Sequence, residues 1–111
     1  MSYNFKLTQQ ASDDLDEIIR YMAMELVNKK AARDFLDDIE ETIQGACLFP
    51  ESGVLVKNDF LPDIEIRKKR VNHYVLYYLP QHKEKIILIL RIVYGKRNPD
   101  ALVFHLEQEQ N

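Results

Sequence analysis

At 111 residues, with 46% apolar and 30% charged side chains, the chain has room for one hydrophobic core and not for two. No apolar run approaches the ~20 residues of a membrane-spanning helix. The opening MSYNFKLTQQ lacks a signal peptide's basic start and apolar stretch, and the single cysteine, Cys47, excludes an internal disulfide, so the expectation is a cytoplasmic chain forming one domain over 1–111.

The net charge of −3 hides a division. Residues 1–48 carry five Lys/Arg against ten Asp/Glu, whereas residues 49–98 carry ten against five. A local positive face is therefore available to an anionic partner in spite of the overall sign.

In YNFKLT, Tyr3, Phe5 and Leu7 alternate with Asn4, Lys6 and Thr8, which predicts a short half-buried strand. Ala11, Leu15, Ile18, Ile19, Met22 and Leu26 then recur at steps of three and four. They predict an amphipathic helix with Asp13, Asp14, Asp16 and Glu17 in its first turns, where the dipole favours acids. Asn28 is a cap for a second helix whose inward stripe is Ala32, Phe35, Ile39 and Ile43, with Gly45 weakening its end and Pro50 closing it. The short link makes the two an antiparallel hairpin.

Residues 50–63, PESGVLVKNDFLPD, read as an irregular loop. IEIRKKR and HYVLYYL follow as antiparallel strands around a turn at Val71-Asn72, and after Pro80–Glu84 comes a strand from Lys85. The fold class is thus α+β: an N-terminal strand, a two-helix hairpin, then a three-stranded antiparallel meander, with the hairpin on one face of the sheet. The tail, 99–111, reads as a short closing helix or a frayed end.

The last strand poses a question, because Arg91 stands alone in IILILRIVY and an unpaired buried cation costs several kcal/mol. Period two puts Ile86, Leu88, Leu90, Ile92 and Tyr94 on one face and Ile87, Ile89, Arg91 and Val93 on the other. The uncharged face is expected under the helices, with Arg91 on an open face that is apolar in the middle and basic at its rim. Such a face expects a partner. The plainer readings are that Arg91 pairs with a carboxylate such as Glu65, that RKKR guards an edge strand, and that Tyr74, Tyr77 and Tyr78 pack. His73, His82 and His105 have no ligand spacing, and no metal or cofactor is expected.

Four stretches, LTQQASDDLDEIIRY, LFPESG, NHYVLYY and ILRIVYGKRNP, taken in this order, resemble the RelE/ParE superfamily of toxins from bacterial type II toxin–antitoxin pairs. The resemblance runs from about Tyr3 to Leu102. It implies a plasmid-stabilisation toxin that arrests growth and binds a cognate antitoxin, whose C-terminal segment orders on binding. RelE-like members cut messenger RNA on the ribosome, and ParE-like members inhibit DNA gyrase.

Metal-free RNA cleavage needs a base for the 2′-hydroxyl, cations for the phosphate and an acid for the leaving oxygen. Matched on GKR, the arginine that RelE-like enzymes use is present as Arg97. A second arginine falls on Val75, and their C-terminal tyrosine falls on Val103 beside Phe104. Arg67, Lys68 and Lys69 stand only near the positions of their paired lysines. A ribonuclease would have to rely on Arg97, Arg91, Tyr94 and His73. ParE-like chains end the last strand in Arg-Ile-x-His-x-x-Arg-Asp; here Arg91, Ile92 and Arg97 match, while Tyr94 and Asn98 replace the histidine and aspartate. The balance favours gyrase as target over the ribosome with mRNA, the further alternative being an inactive antitoxin-binding module. The residues expected to hold target or antitoxin are Arg67, Lys68, Lys69, Arg70, Arg91, Lys96 and Arg97.

Overall fold

Thr8 joins the first strand to the first helix and is buried. Its hydroxyl accepts from the Ala11 amide at 3.1 Å, which caps the helix, and donates to the Leu90 carbonyl at 3.0 Å. The computed structural model describes residues 2–57 and 63–96. In chain order these form β1 (Asn4–Leu7), α1 (Gln9–Arg20) running into a π-helical turn (Tyr21–Glu25), α2 (Lys29–Leu48), β2 (Val54–Leu55), β3 (Arg67–Val71), β4 (Tyr74–Gln81) and β5 (Ile86–Tyr94). Asn28 caps α2 as expected, accepting from the Ala31 amide at 3.0 Å. Because α1 starts at Gln9, its first turn holds no acid; the aspartates begin one turn later.

The five strands make one sheet in the order β1-β5-β4-β3-β2. β1 lies parallel to β5, and every other pair is antiparallel. The meander is present, with three differences from expectation, the first being that the strand read from Ile64 starts only at Arg67. The segment read as an irregular loop contributes β2, which pairs Val54 and Leu55 with Lys68 and Arg67. The β3–β4 turn is Asn72-His73 rather than Val71-Asn72, with Asn72 at φ 56°, a left-handed conformation that asparagine tolerates better than valine. The tail and Arg97 lie outside the described residues.

Both helices pack on one face of the sheet. Phe35, Ile39, Ile43, Ala46 and Cys47 of α2 meet Leu76, Tyr78, Ile87, Ile89 and Ile92 in the main core. This corrects the face assignment of β5. A bulge sets Ile89 opposite Tyr78 and Arg91 opposite Tyr77, leaving Leu90 without a partner. Strict alternation fails there, so Ile87, Ile89 and Ile92 face the helices while Leu88, Leu90 and Val93 face away. A strand apolar on both sides gives no polar residue by which to tell its faces apart.

The second face is not open, which corrects the other expectation. Tyr77, Leu79, Leu88, Leu90 and Val93 are buried there around Ile66, with Val56 and Ile64 packed against them. The β2–β3 connection thus supplies part of the cover from within the chain itself. No helix among the described residues is long and apolar enough to cross a membrane.

Candidate functional site

The basic residues singled out in the sequence do not form one cluster. Arg91 is the most committed. Its guanidinium grips Asp14 of α1 through Nε–Oδ2 at 2.7 Å and Nη2–Oδ1 at 3.1 Å, and the two side chains are 11% and 14% exposed. The same Oδ2 accepts the Ile92 amide at 3.0 Å. β1 pairs with β5 only as far as Ile89, so beyond it Thr8 and Asp14 take over the hydrogen bonds of the strand's outer edge. The arginine therefore meets a carboxylate from the helical side, and its partner is Asp14 rather than Glu65.

Arg67 is equally occupied. It donates to Glu65 at 2.6 Å, to the Gly53 carbonyl at 2.8 Å and to the Glu51 carbonyl at 3.2 Å. These bonds tie β3 to the turn formed by FPESG. Tyr78 holds the same turn from below: its hydroxyl donates to the Pro50 carbonyl and accepts from the Gly53 amide, each at 2.9 Å. Burial pushes the Tyr78 phenol above its ordinary range, against the hydrogen bonds it makes. Glu65 also meets His82 Nε2 at 2.9 Å, and His82 Nδ1 meets the Tyr3 hydroxyl at 2.9 Å. Burial works to raise the Glu65 carboxyl, but Arg67 and His82 together hold it below the usual glutamate range. Glu51, Glu65 and His82 bring three potential ligand atoms within 4.8 Å of one another. The Arg67 guanidinium already supplies the positive charge at Glu65, so the group reads as an ion-pair network.

Lys68, Lys69 and Arg70 line a groove of about 700 Å³ between β3 and α2. β2 covers only Arg67 and Lys68, so Lys69 to Val71 have no strand partner on their outer side among the described residues. Asp38, Glu41 and Thr42 of α2 form the facing wall. Lys69 is held between strand and helix, its ammonium close enough to Gly45 that a Cβ there would lie 3.3 Å away. Desolvation lowers its pKa.

The remaining candidates gather where the β3–β4 turn meets the end of β5. The Gly95 amide bonds the His73 carbonyl at 2.8 Å, and Tyr94 lies edge-on to Tyr74 with ring centres 5.8 Å apart. Tyr74 lies edge-on to Phe35 in turn, and burial raises its phenol, with Tyr21 and Tyr94 adding to the shift. His73, Tyr94 and Lys96 are exposed at this end. Val75 pairs with Val93 and brings no charge.

Sequence reasoning missed Asp14 as the partner of Arg91, the Tyr3–His82–Glu65–Arg67 chain and the Tyr78 hydroxyl. Each joins residues far apart in sequence, and no local spacing carries that signal. The isolation of one arginine in an apolar strand was the single clue, and it asked for a counter-charge without saying which.

Comparison with known proteins gives this geometry a family. The model for the ParE toxin of type II toxin-antitoxin system, parDE, matches residues 5–99. A search of curated proteins returns no match. Among solved structures, the chain is similar to one from the chromosomal ParDE system of P. aeruginosa, with a TM-score of 0.66 and 22% identity over 86% of this chain and 98% of that one. It is similar also to a chain of the RelBE2 toxin-antitoxin complex of Mycobacterium tuberculosis, with a TM-score of 0.61 and 17% identity over 85% and 99%. A chain of the archaeal RelE-RelB complex of Pyrococcus horikoshii gives a TM-score of 0.54 and 19% identity over 88% and 100%. With a strand, a helical hairpin and a bulged last strand arranged as described, and the family model spanning nearly all of it, the chain belongs to the ParE toxin family of type II toxin–antitoxin systems.

Proposed function

We propose that this ParE-family toxin arrests growth by binding DNA gyrase and that a cognate antitoxin neutralises it. The observation that carries the reading is the capture of Arg91 by Asp14. A ribonuclease without metal needs cations free to meet a phosphate beside an acid and a base. Arg91 and Arg67 are both spent on internal carboxylates, and Val75 stands where an arginine is wanted. Lys68, Arg70 and Lys96, which enter no ion pair among the described residues, suit contacts with an acidic protein surface. The solved toxin–antitoxin complexes of similar fold favour an antitoxin as the neutralising partner.

Purified gyrase acting on relaxed plasmid tests the proposal. The toxin is expected to stop supercoiling or to trap cleaved DNA. Full supercoiling at stoichiometric excess of a preparation that arrests growth would overturn it.

Ribosome-dependent mRNA cleavage is the second reading. It draws on His73 and Tyr94, both exposed where the β3–β4 turn meets the end of β5, with Lys96 following. It predicts cut reporter messages and a strong loss of cutting in Arg97→Ala. An inactive antitoxin-binding module predicts harmless overexpression with antitoxin capture retained.

A further inference from the structure

Lys69 is the one lysine of the β3 cluster turned toward the helices, since it pairs with Leu76 of the main core. Three features make its amine unusual. First, none of the ion pairs or side-chain hydrogen bonds among the described residues involves it, although acids line the same groove. Of those acids, Asp38 already accepts from Asn72 Nδ2 at 3.0 Å, and Glu41 is exposed. Secondly, α2 places glycine where the ammonium sits. Gly45 costs an otherwise regular helix up to ~1 kcal/mol relative to alanine, and a Cβ there would crowd Nζ at 3.3 Å. Thirdly, the groove is about 700 Å³, wide enough for a small reagent to reach Nζ past Val54, Val71 and Val75.

We propose that Lys69 is an acylation site: the lysine of this chain that reacts first with small acyl donors such as acyl phosphates. The neutral Nζ attacks the acyl carbon and a C–N bond forms. The bond from that carbon to the phosphate oxygen breaks, phosphate leaves with the electron pair, and the surplus proton on nitrogen passes to water. An amide then replaces the cation between Lys68 and Arg70, and its acyl group rests against the valines of the groove.

The physical ground is partial desolvation with no counter-ion among the described residues, which disfavours the ammonium and leaves more of the nucleophilic amine near neutral pH. The groups facing Nζ do not reverse this. Asp38 and Glu41 on α2 are the nearest acids lining the groove, Lys68 and Arg70 flank it on its own strand, and Ser52, Gly53 and Val54 are uncharged.

The test is a time course of the full chain with acetyl phosphate, read by peptide mass spectrometry. Near neutral pH, Lys69 is expected to be acetylated about tenfold faster than exposed Lys29, with the lead closing as pH nears the ordinary lysine range. Lys69 labelled no faster than Lys29 overturns the proposal.

Discussion

Arg91 and Asp14, 77 positions apart, form a two-pronged ion pair that also closes the free edge of the last strand, because the Asp14 oxygen nearest Nε accepts the Ile92 amide as well. Three bonds thus converge on one nearly buried carboxylate. Asp14→Ala leaves a cation without its partner and an amide without its acceptor, and is expected to cost about 3 kcal/mol in urea denaturation. Replacing both residues by alanine is expected to cost less than the two single losses added together, since no orphaned charge remains.

The turn at FPESG hangs on a phenol. Tyr78→Phe removes a donor to Pro50 and an acceptor for Gly53, so about 1–3 kcal/mol of stability should go. Gly53→Ala is expected to do more harm. Its Cβ would fall 2.6 Å from the Tyr78 hydroxyl and 2.8 Å from the Lys68 carbonyl, and the second of these is backbone that cannot step aside. Thermal melting of the two variants should rank them in that order.

Glu65 gives the fold an acid-sensitive contribution. Its folded pKa lies below the unfolded one, so the stabilisation is whole above the ordinary glutamate range and is lost as pH falls through the folded value. Glu65→Gln should therefore weaken the protein near neutrality and flatten the acid limb of its stability curve. Denaturation midpoints measured from pH ~7 down to ~3 would reveal it.

Lys69 has the opposite sign. A depressed lysine means the ammonium is a burden on the folded state at every pH below its folded pKa, and the burden lifts as pH climbs to the unfolded value. Lys69→Met, which keeps the chain length and loses the charge, should raise the melting temperature at neutral pH. The gain should shrink on approach to pH ~10.

Lys68 and Arg70 remain available after the internal pairs are counted, so Lys68→Glu and Arg70→Glu should each weaken antitoxin capture by about tenfold at low salt. The loss should narrow as salt rises, because screening removes exposed attractions first. Calorimetric titration at two ionic strengths would measure both.

Much of this architecture was legible in the sequence. The alternation in YNFKLT, the three–four spacing of Ala32, Phe35, Ile39 and Ile43, and the capping asparagine at 28 each carry a period that local physics enforces. What stayed hidden depended on contacts between distant segments. β5 is apolar on both sides, so a one-residue bulge at Leu90 exchanged its faces without leaving a mark in the composition. β2 is two residues long and exists only because β3 lies beside it. The second face seemed bare because Ile64 and Ile66 read as part of the strand IEIRKKR, whereas the strand starts at Arg67 and these two residues pack across that face. For the site the gap is wider. Arg67 and Arg91 looked like contacts for a partner, and burial turned both inward.

The placement of β1 against β5 has a consequence in time. Among the described residues, the first strand in the chain has as its one neighbour in the sheet the last strand, β5. Until Ile86–Tyr94 emerges, Asp14 has no arginine to hold and the hairpin's apolar stripe lacks the central strand it rests on. Long-range closure of this kind is slow and cannot be completed by a partial chain. A copy that stops short of Ile86 therefore lacks both the partner of β1 and the arginine that Asp14 holds.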